Sequence, residues 1–215
     1  MQPRGDVRIA INVMRARLTV VGFNLAVITF QLGAVPRLPG AVPLPEIGRA
    51  VHLTAEITLL LGLALSVIAM ICFIMSSAFD PQGSCDHWTL LAGDLFMYLG
   101  LAQSVAGFFQ PFGGVLDAIG APPAGAQVGL NAIYTAVIVS GGAAWLAATY
   151  VGPVVSLLRS PFGRPATLGL AIVYVLLLGA VAFVSAESRR FEAAHIGTNP
   201  AAISMFGELF KPMRW

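Results

Sequence analysis

Two long apolar runs separated by a short polar segment constrain this chain more than any other feature. The first run extends from His52 to Phe79, the second from Trp88 to Gln110, and Asp80–His87 lies between them. A helix of about 20 apolar residues, rising ~1.5 Å per residue, is needed to cross the ~30 Å hydrocarbon core of a bilayer. The pattern therefore predicts an antiparallel pair of transmembrane helices joined by a tight turn.

The overall composition extends this prediction to the whole chain. Hydrophobic residues make up 57% of the 215 residues and charged residues only 10%, and the mean hydropathy is +0.83. Soluble domains carry about 25% charged residues, so this chain cannot build a water-facing surface of the usual kind. The length suits one bundle, and we predict a single membrane domain over residues 1–215. A net charge of +2 gives no basis for nucleic-acid binding.

Proline-rich and glycine-rich breaks divide the chain into five predicted spans. Pro36–Pro45 holds four prolines and predicts an extended connector. Pro111–Ala126 is predicted to lie at the interface or dip into the bundle, and Gly152-Pro153 to kink or end the fourth span. The predicted fold class is thus all-α, a polytopic transmembrane bundle. Its spans are about 18–35, 52–78, 88–110, 129–151 and 167–186, before an interfacial tail at 191–215 in which Asn199-Pro200 starts a helix.

The basic residues leave the orientation open. A basic start before an apolar run is also typical of a signal peptide, but we interpret residues 18–35 as the first span. Five spans place six basic residues on each side of the membrane, and only the first helix favours an internal N-terminus. In an alternative with four spans, residues 18–35 only dip into the membrane and the division becomes ten against two. Lys211 is the one lysine among twelve basic residues, a bias that suggests a bacterial inner membrane protein.

Small residues recur on one face of the second span and on one face of the third. Their spacing of i, i+7, i+11 and i+14 places each set on a narrow stripe. Between helices in lipid there is no hydrophobic driving force, so close backbone approach and dispersion must hold them together. We therefore predict tight antiparallel packing of these two spans. The stripes are Ala55, Gly62, Ser66 and Ala69 on the second span, and Gly93, Gly100, Ser104 and Gly107 on the third.

Two carboxylates inside the apolar runs are the candidate functional residues. Asp94 lies ~9 Å below the interfacial Trp88, where an ionised side chain costs about 3 kcal/mol and needs a partner. It is interpreted either as a proton or cation site, or as a structural group capped by hydroxyls or an arginine. Glu56 lies on the same helical face as His52, which allows a His–Glu pair, or an interfacial pair near Arg49.

These residues could contribute to a pathway across the membrane. Glu56 and Asp94 enter from opposite faces, about 15 Å apart, so they cannot form one two-carboxylate site. A relay through water, with Gln103 or Asn131 between them, is the remaining hypothesis. The same amides could equally be hydrogen-bonding contacts between helices.

Cofactor and catalytic signals are absent from the sequence. His52 and His87 begin successive antiparallel helices, which argues against paired haem ligation. Cys72 and Cys85 fall at different depths, so we expect no disulfide and no metal site. No nucleotide-binding, zinc or nucleophile-elbow motif occurs. We therefore expect neither a cofactor nor an enzymatic activity.

Two functions remain open, and a third, a lipid-modifying enzyme, has no sequence motif to support it. The first is an oligomeric proton or cation conduit that uses the intramembrane carboxylates. The alternative is a non-catalytic accessory subunit of a larger membrane complex, which packs helices and binds lipid, quinone or pigment. The expected partners are the lipid bilayer and either copies of the chain or other membrane subunits.

Overall fold

Helices dominate the computed structural model of the chain, which describes residues 4–44, 48–79, 87–112, 115 and 127–214. The described residues do not include 80–86 of the predicted turn, with Cys85, or most of the segment 111–126. The helices are α1 Arg4–Ala34, α2 Leu53–Phe79, α3 Trp88–Phe109, α4 Gln127–Leu146, α5 Gly152–Leu158, α6 Arg164–Ile196 and α7 Met205–Glu208. Short 3-10 turns occur at Val35–Arg37, Pro200–Ala202 and Lys211–Arg214.

Five helical segments of the described chain are long and apolar enough to cross a membrane. This agrees with the number of spans predicted from the sequence, because length and hydropathy are set locally by the order of residues. The third is the most enclosed by the rest of the protein and the fifth the least. The five segments are Asn12–Arg37, Leu53–Phe79, Trp88–Phe109, Asn131–Leu158 and Arg164–Ile196.

Helix α1 is longer than the predicted first span, because it begins at Arg4 rather than near residue 18. It lies antiparallel to α2 along most of its length. Its N-terminal half packs at the end of α2 and its C-terminal half at the start of α2. One buried cluster joins Met14 and Val21 to Ala69, Phe73 and Met97, and a second joins Ile28 and Val35 to Ala55 and Leu59. This extent favours five long helices over an N-terminal segment that only dips.

The connector before α2 contains a short β-hairpin that the all-α prediction missed. Strands β1 (Val42–Leu44) and β2 (Arg49–Val51) pair antiparallel, with Val42 opposite Val51. Gly48 adopts a φ of 64°, a left-handed conformation that glycine reaches without a steric penalty. Residues 38–44 of the predicted connector contain no helix, although a 3-10 turn includes Pro36. Three-residue strands are too short to be predicted from a sequence pattern.

The fourth long helix continues through Gly152-Pro153 instead of ending there. Its path includes one π turn, Ala147–Val151, between α4 and α5. Pro153 has no N–H, so the carbonyl of Thr149 four residues earlier loses its usual helical donor. The hydroxyl of Tyr174 on α6 donates to that carbonyl over 2.6 Å. The wider π turn and this outside donor let the helix pass the proline.

Helix α6 and the tail also differ from the predicted limits of 167–186 and 191–215. The helix runs on to Ile196 and ends at Gly197, whose φ of 77° is typical of a helix C-terminus. Beyond it, the Asn199 side chain accepts a hydrogen bond from the Ala201 N–H, which agrees with the predicted cap. The tail then folds back in short turns, and Tyr150 donates a hydrogen bond to the Leu209 carbonyl.

Candidate functional site

The small-residue stripes of α2 and α3 face each other at close range. A Cβ built on Gly100 would lie 2.7 Å from the Ser66 Oγ and 3.3 Å from the Gly62 carbonyl oxygen. A Cβ on Gly107 would meet Leu59 at 2.6 Å, and one on Gly93 would meet the Phe73 ring at 2.6 Å. At distances under 3 Å, a side chain could enter only if the neighbouring atoms shifted. Glycine at these positions therefore allows the two helices to approach closely.

A buried polar cluster joins α1 to this interface. The Asn24 amide donates to the Ser66 Oγ over 2.8 Å, and the Ser104 Oγ donates to the Asn24 Oδ1 over 2.6 Å. Ser66 in turn donates to the Gly62 carbonyl at 2.7 Å. Asn24, Ser66 and Ser104 are at most 5% exposed. Interhelical hydrogen bonds of this kind fix the register of three helices, each contributing about 1 kcal/mol.

Asp94 forms a bidentate ion pair with Arg17 on α1. The distances are 2.6 Å between Arg17 Nε and Asp94 Oδ1, and 2.8 Å between Nη2 and Oδ2. The Asp94 side chain is 8% exposed and that of Arg17 24%. The geometry thus matches the arginine-capped alternative for Asp94. The guanidinium neutralises the carboxylate charge, which weakens its attraction for a second cation.

The ion pair lies at the wall of a crevice of about 240 Å³. The lining combines apolar side chains with five polar ones that come from three parts of the chain. Arg17 belongs to α1 and Asp94 to α3, whereas Ser156, Arg159 and Ser160 belong to the end of α5 and the loop that follows. The crevice therefore carries two guanidinium groups and one carboxylate.

Glu56 is also paired with arginine, at the other end of α2. Arg49 Nη2 lies 3.0 Å from Glu56 Oε2. The His52 Nε2 lies 3.0 Å from the Leu38 carbonyl oxygen. His52 therefore contacts the connector and not the Glu56 carboxylate. The interfacial alternative with Arg49 describes this end of the helix, and the possible His–Glu pair is not formed.

The amides proposed for a relay are not brought together with the carboxylates. Gln103 is buried, and its Oε1 has no hydrogen-bond partner among the described residues. Asn131 is exposed near the start of α4. A separate groove of about 210 Å³ lies between α1 and α3, lined by Phe23, Gln31 and Phe108 among others. Among the described residues, neither amide forms a hydrogen bond with Asp94 or Glu56, and a relay through water stays a prediction.

Two glutamates with structural roles were missed by the sequence analysis. The Glu192 carboxylate on α6 accepts hydrogen bonds from the N–H and hydroxyl of Thr54 in the first turn of α2. A carboxylate at a helix N-terminus satisfies free N–H groups and complements the helix dipole. Glu192 lies beyond the predicted end of the fifth span. Only a prediction that α6 continues beyond residue 186 could have placed Glu192 on a helix.

Glu208 in the tail is the second missed residue, and its side chain is fully buried. It accepts hydrogen bonds from Ser185 at 2.8 Å and Arg189 at 3.0 Å. The buried Lys211 Nζ lies 3.9 Å from Glu208 Oε2. Burial lowers the pKa of Lys211 to about 8, although the Glu208 charge acts in the opposite direction. These contacts hold the tail against α6.

Comparisons with known proteins do not assign a function to these sites. Within the described residues, no group of three or more His, Cys, Asp or Glu side chains could hold a metal ion. Comparisons with protein families, with curated proteins and with solved structures give no match. The functional argument therefore depends on the geometry of this chain alone.

Proposed function

We propose that this chain is an integral membrane protein, of a bacterial inner membrane, that serves as a non-catalytic subunit of a membrane complex. The five long apolar helices support its placement in a bilayer. The excess of arginine over lysine is the basis for the bacterial assignment. The packing role follows from a surface of α1.

The observation that carries the proposal is a second kind of small-residue stripe, on the outer face of α1. Its members are exposed, and a Cβ on either of its two glycines would meet no atom within 4 Å. The spacing of i, i+4, i+7 and i+11 places them on one narrow face. The outer stripe consists of Gly22, Ala26, Thr29 and Gly33.

The α2–α3 interface indicates what such a surface does in this protein. There, glycine and serine stripes allow two backbones into van der Waals contact. In lipid, small residues favour association because a neighbouring helix can approach more closely than acyl chains pack. We therefore propose that a transmembrane helix of another subunit packs along the outer stripe. The exposed Phe23 and Phe30 both lie along one edge of the stripe and would contact that helix from one side.

The ion pairs make a conduit the less supported alternative. Asp94 and Glu56, the carboxylates proposed for ion passage, are each engaged by an arginine. A permeation site must bind an ion and also release it, whereas a bidentate arginine already neutralises Asp94. Among the described residues, the Gln31 Oε1 has no hydrogen-bond partner and Gln31 lines the groove between α1 and α3, which is compatible with hydrogen bonding to a bound lipid or quinone.

Cysteine crosslinking in native membranes tests the packing role. The background carries Cys72→Ala and Cys85→Ala, and Ala26→Cys places one thiol in the middle of the outer stripe. Val20→Cys is the control, because Val20 is 40% exposed but lies roughly 160° around the helix from Gly22 at 100° per residue. We expect a discrete crosslinked adduct from Ala26→Cys only. Mass spectrometry of the adduct distinguishes a second copy from another subunit. If neither variant yields an adduct, the packing proposal is wrong.

A further inference from the structure

The crevice beside Asp94 has more hydrogen-bond donors than the protein uses. Arg17 commits Nε and Nη2 to Asp94 and retains the remaining N–H groups. Arg159 is exposed and pairs with no acidic side chain among the described residues. The Ser160 Oγ accepts hydrogen bonds from the Phe162 N–H and the Thr167 hydroxyl, so its own proton is available.

The charge balance of the crevice is positive. Two guanidinium groups face one carboxylate, and that carboxylate is held by Arg17 on both oxygens. A positively charged site with several convergent N–H and O–H donors favours an anion with several acceptor oxygens. A phosphate group meets this requirement, and guanidinium recognises it by paired hydrogen bonds.

The position of the crevice indicates where the phosphate comes from. Trp88, half exposed at the start of α3, lies on the same end of the helices, and tryptophan is favoured at membrane interfaces. Leu90, Val155 and Phe162 supply apolar lining next to the charged groups. An interfacial crevice lined by both charged and apolar side chains suits a lipid headgroup and the first part of its chains.

From these observations, we infer that the crevice binds the phosphate group of an anionic membrane lipid, with Arg159 and Arg17 contacting its oxygens. Ser160 donates a further hydrogen bond, and the apolar lining residues contact the glycerol and upper acyl carbons. This inference depends on the proposal that the helices span a membrane. It does not depend on a partner helix on the outer stripe of α1.

Binding of short-chain lipids to the purified full-length protein tests the inference. The probes are dihexanoyl phosphatidic acid, dihexanoylglycerol, which lacks phosphate, and glycerol 3-phosphate, which lacks acyl chains. Thermal stabilisation in detergent reports binding of each. We expect phosphatidic acid to bind at least tenfold more tightly than either of the others, which corresponds to about 1.4 kcal/mol. Dihexanoylglycerol lacks the phosphate that the arginines contact, and glycerol 3-phosphate lacks the acyl chains that the apolar residues contact.

Variants locate the site. Arg159→Gln removes a charge from an exposed position and should weaken phosphatidic acid binding about tenfold. Arg164→Gln is the matched control, because Arg164 is exposed on the same loop end but does not line the crevice. Asp94→Asn, if it folds, should tighten binding because it removes the negative charge from the crevice wall. The packing role is tested separately by the crosslinked adduct of Ala26→Cys, which should be lost when Gly22→Leu is added to that variant.

Three results would overturn the inference. Unchanged binding by Arg159→Gln would show that phosphate does not occupy this crevice. Equal binding of dihexanoylglycerol would show that the protein recognises acyl chains alone. Equal binding of glycerol 3-phosphate would support a phosphate site and overturn its assignment to a lipid.

Discussion

The Tyr174 hydroxyl donates a hydrogen bond of 2.6 Å to the Thr149 backbone carbonyl, which connects α6 to the π turn before Pro153. Thr149 is fully buried, and Tyr174 is 7% exposed. A buried carbonyl deprived of its helical donor must find another, because an unpaired backbone group away from water costs free energy. The tyrosine on α6 therefore supplies the hydrogen bond that the proline removes from the fourth long helix.

Removing the Tyr174 hydroxyl should destabilise the protein only while Pro153 is present. We expect Tyr174→Phe to cost about 1–2 kcal/mol, because the Thr149 carbonyl loses its donor. In a Pro153→Ala background the backbone N–H gained at that position can serve the carbonyl, so the same change should cost less. The free energies of unfolding of the four proteins in detergent form a double-mutant cycle. Equal costs in both backgrounds would contradict the link.

Breaking the Arg17–Asp94 pair should cost more than replacing both partners. Removing one partner of a buried ion pair typically costs about 3–5 kcal/mol, and we expect about 3 because Arg17 is partly exposed. Asp94→Leu should thus destabilise the protein more than the double change Arg17→Leu, Asp94→Leu. Arg49→Leu is the control, since Arg49 is 53% exposed and its pair should contribute at most about 1 kcal/mol. Additive losses at Arg17 and Asp94 would count against the pair.

The same aspartate separates the two functional hypotheses in liposomes. A conduit predicts a proton or cation flux in the wild-type protein that Asp94→Asn abolishes while leaving the protein folded. The packing proposal predicts no flux above empty liposomes in either protein. A wild-type current that depends on Asp94 would favour the conduit.

The α2–α3 interface should not accept a side chain at Gly100. Gly100→Leu would force a Cβ within 2.7 Å of the Ser66 Oγ, and overpacking of this kind costs about 1–3 kcal/mol or more where backbones touch. Gly169→Leu on α6 is the matched control, because a Cβ there meets no atom within 4 Å. Unfolding midpoints of the two variants should differ clearly. Similar midpoints would mean that the helices can separate without loss.

Docking of the tail should strengthen as pH rises from about 8 to about 10. The pKa of Lys211 is about 8 in the folded protein, against an ordinary value of 10.5. Between these values the unfolded lysine holds a proton that the folded one has released, so the free energy of unfolding increases with pH. The increase is at most about 3 kcal/mol. Proteolysis of the tail across this range measures it, and Lys211→Met should remove the dependence.

Several features of the fold are local and could be predicted from the sequence. The five long helices follow from apolar runs whose length suffices to cross a bilayer. The Asn199 cap follows from the side chain and the proline beside it. The limits of α1 and α6 were less well predicted. Helical residues beyond the apolar core carry arginine and glutamate, and hydropathy does not distinguish a polar helical turn from a loop.

The partners of the polar side chains could not be predicted, because they come from distant parts of the chain. Arg17 precedes the first predicted span and Asp94 lies near the start of the third, which places both near the same membrane face. Nothing in the sequence selects Arg17 among the arginines on that face. Asn24 was one of several amides, and only its position between Ser66 and Ser104 makes it a link between three helices.

The sequence by itself determined how many long apolar helices this protein forms and which faces of α2 and α3 carry small residues, since both depend only on composition and spacing along one helix. The tertiary structure decided that Asp94 is neutralised by Arg17, that Glu192 caps α2, and that the α1 stripe stays uncovered. Such pairings depend on the rotation and axial offset of one helix against another. Those are set by packing of the whole bundle rather than by any single segment.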